Sequence, residues 1–569
     1  MRSPLLWLAL ALHVALASAY AWTTPHFEGP DENSHYEYAW HLANAGALPL
    51  TADLQVERGL PQTEAAVLAH HPPLYYALLG GTLTALGEDD AVFAPRLNPA
   101  FGAPEAPSRH LKFVHEAQPD RLLNLLRWLS ALLGCASIAC VHALGRACCP
   151  QSPRVADLAA LLVACLPMWS GLHGLLNSDV LAATLSTATL LALARTLQRD
   201  RVRTRDGAIL GALLGLAWLT KLTTLFLGGL AGLAAATLLA RRRASASALA
   251  VAPAVALALS GWWFVRNYLL HGDWLAMSAH DASFQPLPPE LRWPYLLGLD
   301  PSVPAFLPEL LASLFGRFGW FSVQPHPALV WCGAVVTGLA VTGLALAWRD
   351  RDRAHFPRAA WLLVAACAAV LLAAAWFNFR VYQPQSRLLF PAVAPAAVLL
   401  AAGLVRLSTS WPWRRWLLPL LPAAAAAALF GTFLPRMNAE LAPAPDDHRS
   451  LVGGVVTPDG PEQIAWRAAA DPTPQQAPPT LAWTDPGAPA GTRYTLYAFD
   501  DDGRVWLATH EWTAGALSIT GDSFAVPELV WSFLPKNVPL SLRLRRVPST
   551  AEARPRELAC SPPLAVTRR

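Results

Sequence analysis

Apolar runs of about 20 residues, the length a helix needs to cross a bilayer, recur through the first three quarters of the chain. The first spans Leu5 to Trp22, and ten more follow: Leu122 to Leu144, Ala156 to Leu176, Val180 to Leu197, Ala208 to Thr220, Thr224 to Ala240, Leu249 to Val265, Leu329 to Trp348, Ala360 to Phe377, Leu388 to Val405 and Trp416 to Leu434. Short arginine clusters separate alternate pairs: Arg146 with Arg154; Arg199, Arg201, Arg203 and Arg205; Arg241 to Arg243; Arg349, Arg351, Arg353 and Arg358; Arg406, Arg414 and Arg415. Flanking Arg and Lys mark the cytoplasmic end of a span, and all five clusters fall on one side if the chain crosses eleven times. A cleaved signal peptide is the alternative for the first run, since Ala17-Ser18-Ala19 resembles a cleavage site; it changes the helix count without moving the next loop to the other face.

The same parity decides a short segment. HPPLYYALLGGTLTALG, His71 to Gly87, is apolar but opens on Pro-Pro, and a crossing there would invert every later cluster. It reads as a helix lying along the outer surface, which leaves the loops 23–120 and 267–327 external. After Leu434 the pattern changes to period two. PPTLAW, RYTLYAF with DDDG and RVWLATHEW as a hairpin, ELVWSF and PLSLRLRRV read as strands of a small β-sandwich, with a weak likeness to a fibronectin type III module. The expected architecture is therefore a polytopic α-helical membrane protein over 1–434, with about eleven transmembrane helices, followed by a β-rich domain over 435–569.

Composition agrees with this placement. Of the 569 residues 54% are hydrophobic and 14% charged, mean hydropathy is +0.33 and the net charge is +4. That is too apolar for water-facing domains throughout, and arginines spent at membrane boundaries argue against a nucleic-acid groove. The eight Cys show no metal-binding spacing, and several lie in apolar runs as small hydrophobes. High Ala, Arg and Pro with three Lys (Lys112, Lys221, Lys536) suggests a GC-rich bacterial genome, hence an inner membrane with the external loops in the periplasm.

Ionisable groups beside hydrocarbon are costly, so each asks for a reason. GPDENSHYEYAW places Asp31 and Glu32 beside His35, just after the first run. Adjacent carboxylates at a membrane edge suit a general base or a bound cation; a solvated helix cap is the plain alternative. Asn177 and Asp179 open a helix, where capping and the helix dipole explain them equally well. Lys221, in AWLTKLTTLF, is a lone external ammonium in the membrane part and calls for an anion, unless it only snorkels. Arg266, Asn267, His271 and Asp273 end the seventh run; Arg380, Tyr382, Gln385 and Arg387 join the ninth to the tenth. Arg suits bidentate phosphate recognition, with a lipid-headgroup anchor as the alternative. All of these fall on the external face by the same count. Carboxylates and cations gathered there describe a site for an anionic lipid-linked substrate and a hydroxyl or amine to be deprotonated. A transporter or lipid flippase, the competing class, would set its charges near the bilayer midplane on repeated or broken segments, and no half-to-half repeat is visible.

The order of PDENSHYEYAW, HPPLYYALL, NSDVLAA, LAWLTKLTTL, WWFVRNYLLHGDW and QSRLLFP over residues 1 to about 406 resembles the C-type (GT-C) glycosyltransferase superfamily, in a bacterial branch related to the protein mannosyltransferases and the aminoarabinose transferases. The resemblance implies an inverting transferase that takes a sugar from a polyprenyl-phosphate donor at the outer membrane face and gives it to a glycan, lipid or protein acceptor. It assigns the base to Asp31, with Glu32 in reserve, and the lipid phosphate to Arg387, then Lys221 and Arg266. His35, His71, Tyr75, Asp179, Asn267, Tyr382 and Gln385 complete the expected substrate contacts. No metal is required, although an Asp-Glu pair is also a donor set for a divalent cation. The Pro-Asp-Glu motif followed by His35 stands closer to a separate membrane branch than to the mannosyltransferases, so the resemblance does not carry the acceptor over.

Overall fold

A computed structural model describes residues 3–409, apart from 61–63, 88–110, 114–120, 285, 300–303, 321–322, 353–354 and 358–359, then Leu434 and segments of 462–567. Among the described residues, eight helices are long and apolar enough to cross a membrane: Pro4–Thr23, Arg121–Cys148, Asp179–Leu197, Leu222–Ala240, Ala246–His271, Pro327–Arg349, Ala360–Arg380 and Ser386–Ser408. The expected run from Ala156 to Leu176 is instead two helices, Pro153–Ala164 and Pro167–His173, bent by 64° and a ninth span only if counted together. The bend falls where Pro167 supplies no amide donor to the preceding turn. The run from Ala208 to Thr220 forms a helix, Thr204–Trp218, of 15 residues, too short for the hydrocarbon thickness. The run from Trp416 to Leu434 lies outside the described residues except at its last position. Of the eleven expected spans, the described residues show eight, or nine if the bent pair is one span.

Apolar side chains hold this bundle together without an amphipathic stripe on most helices, as expected where lipid is the outer solvent. Small residues set the closest approach. A Cβ on Gly403 would overlap the Ala340 carbonyl, so only glycine lets the Pro327–Arg349 helix seat against the Ser386–Ser408 span.

Above the spans, the segment after the first helix folds into a cap. Glu32–Ala45 and Leu74–Leu86 are helices, the second with 13 residues, about 20 Å and too short to cross. Tyr36, Tyr38, Tyr75, Tyr76 and Leu79 form its core and pack onto Leu123, Leu126, Leu176 and Leu181 of the bundle. The rings of Tyr38 and Tyr76 stack 3.8 Å apart. Pro72 and Pro73 bring Leu74 to the bundle, where its amide donates to the Leu219 carbonyl at 2.9 Å.

Beyond residue 461 the described residues form two antiparallel sheets. Strands β1 (Ala465–Trp466), β2 (Thr480–Thr484), β3 (Arg493–Phe499), β4 (Val505–Ala508), β5 (Ile519–Thr520), β6 (Ser523–Ala525), β7 (Pro539–Val547) and β8 (Leu564–Thr567) order as β1-β2-β6 and β4-β3-β7-β8, with β5 also on β3. The β3–β4 hairpin and the β7 strand appear where the alternation placed them. Of ELVWSF only Trp531 is described, and it is helical. Trp483 of one sheet and Leu496 and Leu542 of the other share one buried cluster.

Candidate active site

Asp31 and Glu32 are neighbours in sequence and point to different places. Asp31 adopts left-handed backbone angles, φ 62° and ψ 11°, at the start of the Glu32–Ala45 helix. Asp accepts that conformation more readily than most residues. The turn after Gly29-Pro30 sends its carboxylate one way and sinks Glu32 the other. Glu32 is wholly buried against Arg127, which donates from Nε at 2.9 Å and Nη2 at 2.6 Å. Glu32 also accepts from the amides of Phe27 and Leu176, both at 3.0 Å. The remaining Arg127 donors go to the carbonyls of Ala21, Thr24 and Pro25, so all five of its N–H groups are used. Glu32 is therefore a fastening between the first helix, the cap and the bundle rather than a reserve base, and it leaves no Asp31/Glu32 pair to hold a cation.

Asp31 faces Arg387. Their side chains lie 356 positions apart in the chain, yet Arg387 Nη2 donates to Asp31 Oδ2 at 2.9 Å. A quarter of the Asp31 side chain remains exposed. Burial alone would raise its pKa; the Arg387 guanidinium, with help from His35 and Lys112, outweighs that and holds the carboxyl below its ordinary value. Beside this pair stands a second: Lys221 Nζ lies 2.8 Å from Asp179 Oδ1, with Asp179 1% exposed. Lys221 occupies an extended break between the Thr204–Trp218 helix and the 3-10 turn Leu222–Leu225. Burial pushes its ammonium below the usual lysine value and Arg387 adds to this, against the pull of Asp179. The main-chain break at Gln385, before the 3-10 turn Ser386–Ala392, presents Arg387 in the same way.

The histidines form a neutral wall. Tyr76 Oη bridges His35 Nδ1 and His71 Nδ1, each at 2.9 Å. Burial drives His35 to about 3 and His71 downward, so both are uncharged imidazoles at neutral pH. Tyr75 supports the Asp179 helix: its hydroxyl meets Ser130 Oγ at 3.1 Å and accepts from the Asn177 amide at 3.0 Å.

Other expected contacts lie apart from the two ion pairs. Arg266 donates to the Pro49 carbonyl at 3.0 Å and stacks on Trp263. Asn267 reaches the Trp274 carbonyl at 3.4 Å. Tyr382 donates to the Pro304 carbonyl, and Arg380 pairs with Asp281. Gln385 is next to the site, with a buried Oε1 that has no hydrogen-bond partner among the described residues. Two residues that sequence reasoning passed over belong to the picture. Arg127 sits inside an apolar run, the signal that could have found it. Lys112 lies in the field of Asp31, with its ammonium 3.7 Å from the centroid of Trp320; only the folding of the 23–120 segment brings it there.

Residues 122–263 match the family model described as dolichyl-phosphate-mannose-protein mannosyltransferase. That match covers 142 of the 569 residues, a quarter of the chain. Among solved structures, the chain is similar to ArnT from Cupriavidus metallidurans bound to undecaprenyl phosphate, at 18% identity over 75% of this chain and 65% of that one, TM-score 0.44. It is also similar to the oligosaccharyltransferase AglB from Archaeoglobus fulgidus in complex with an inhibitory peptide and a dolichol-phosphate, at 14% identity over 76% and 55%, TM-score 0.39. The S. cerevisiae protein O-mannosyltransferase Pmt1–Pmt2 complex bound to the sugar donor matches at 15% identity over 52% and 37%, TM-score 0.31. With TM-scores below 0.5, none of these fixes a residue correspondence, and the chain spans less than two thirds of the length of the lipid-bound ArnT. No curated protein sequence matches the chain.

Proposed function

We propose that this protein is an inverting glycosyltransferase that moves a sugar from a polyprenyl-phosphate donor to an acceptor hydroxyl at the periplasmic face of a bacterial inner membrane. The observation that carries this reading is the contact between Asp31 and Arg387: a partly exposed carboxylate held against a cation beside a second cation, Lys221, where helices break. Asp31 takes the proton of the acceptor hydroxyl as its oxygen bonds to the anomeric carbon, from the face opposite the lipid phosphate. The bond from that carbon to the phosphate oxygen breaks, and its electron pair leaves on the lipid phosphate. Arg387 and Lys221 stabilise the charge gained there, a preorganised electrostatic effect worth a few kcal/mol, of order 3. The uncharged histidines beside them add no competing cation. The division of the chain near residue 434 leaves the β-rich end, which we read as a sandwich on the same face as the site, to meet acceptor or cell-wall glycan.

The test is transfer from an undecaprenyl-phosphate hexose by the purified full-length protein. Asp31→Asn lowers kcat by at least about 100-fold, the scale of a lost general base, while undecaprenyl phosphate still binds. Full activity in a folded Asp31→Asn protein overturns the assignment of the base.

A further inference from the structure

The two ion pairs account for a base and a phosphate, but not for the polar atoms left over around them. Asn177, Asp179 and Ser386 are all at most 1% exposed. Among the described residues, Asn177 Oδ1 caps the Asp179 amide while its Nδ2 has no partner, and Asp179 gives Oδ1 to Lys221 and leaves Oδ2 without one. Ser386 uses its main-chain amide on Ser313 Oγ at 2.8 Å, and among the same residues its own hydroxyl is unmatched, as is Oε1 of Gln385 beside it. A buried polar atom without a partner costs about 1–3 kcal/mol, so four together beside one cluster imply something that repays them. These atoms belong to two chain segments that pack against each other, the start of the Asp179–Leu197 helix and the Ser386–Ala392 turn, and Asp179 lies in the field of Arg387. One is a donor, two are acceptors and one is either: the complement of several hydroxyl groups, not of a second phosphate.

We infer that the ring hydroxyls of the donor's sugar are seated between Asn177–Asp179 and Gln385–Ser386. The inference rests on the proposed use of a polyprenyl-phosphate donor and adds which moiety these residues recognise. Gln385 and Ser386 set affinity for the sugar, while Arg387 and Lys221 set affinity for the lipid phosphate.

The test compares binding of undecaprenyl phosphate with binding of its glucose, mannose and galactose esters and one aminopentose ester, to full-length protein in nanodiscs. Wild-type protein binds at least one sugar ester about 10-fold or more tighter than the sugar-free lipid. Ser386→Ala with Gln385→Met keeps the side-chain volumes close, removes two of the unmatched groups, and abolishes that increment while leaving affinity for undecaprenyl phosphate within about 2-fold. Retention of the increment in the double variant overturns the seat. Absence of an increment for every sugar ester in the wild-type protein overturns it as well. If the wild-type protein fails to bind undecaprenyl phosphate at all, it is the proposed function that falls.

Discussion

The adjacent carboxylates Asp31 and Glu32 show how much one backbone conformation decides. The positive φ of Asp31 separates two chemically equivalent side chains into a displayed carboxylate and a buried strut. The pairing with Arg387 also fixes the working pH range. A carboxyl held below its ordinary value stays ionised through neutral and mildly acidic conditions, so the acid limb of kcat/KM lies below the ordinary carboxylate range. Arg387→Gln removes the main lowering influence and leaves burial, which raises the pKa; the limb then moves upward. An unmoved limb in that variant, measured as the pH profile of residual transfer, means Asp31 is not the titrating base. The motif around Asp31 was legible as chemistry, but which carboxylate did it was not, because neither side-chain direction nor the Arg127 partner is a local property.

Among the elements, the Arg121–Cys148 helix carries more than its apolar length suggests. Arg127 ties its first turns to the end of the first helix and to the cap, and the carboxylate it satisfies is buried completely. Arg127→Met strands that carboxylate and destabilises the protein by about 3–5 kcal/mol, the cost of breaking a buried pair. Arg127→Met combined with Glu32→Gln recovers part of the loss, because no charge is then left unpaired. Thermal unfolding of the two variants in detergent reads the difference, and equal midpoints sink the account. Helix breaks matter as much as helices here. Lys221, Asp179 and Arg387 each stand at or within two residues of the start of a helix or 3-10 turn, where the chain can turn a side chain across the bundle. Breaks near Lys221 and Arg387 were marked in the sequence by polar residues between apolar runs; the 64° bend before Pro167 was not, since the apolar run continues through it.

For the molecule as a whole, the cap carries buried histidines that couple folding to pH. His35 and His70 are each held near 3 by burial, against an ordinary value of 6.5. Lowered folded-state values mean that stability is fully present above pH 6.5 and drains away as pH falls from there toward 3, because the unfolded chain binds the protons first. The unfolding midpoint at pH 5 therefore lies below that at pH 7.5, and His35→Asn with His70→Asn narrows the difference; a midpoint that rises on acidification contradicts the buried, neutral imidazoles. By itself the sequence determined that most of the chain lies in a bilayer, where its long apolar runs begin and end, that strands form in the described segments beyond residue 461, and that unusual charges gather at helix ends. Those are consequences of hydrophobic period and of the cost of charge in hydrocarbon, which act locally along the chain. Only the tertiary structure decided that Asp31 meets Arg387, that Glu32 and Arg127 cancel each other, that Lys112 joins the cluster and that one apolar run bends in two, because ion pairing depends on which distant segments pack within a few ångströms, and periodicity carries no record of that.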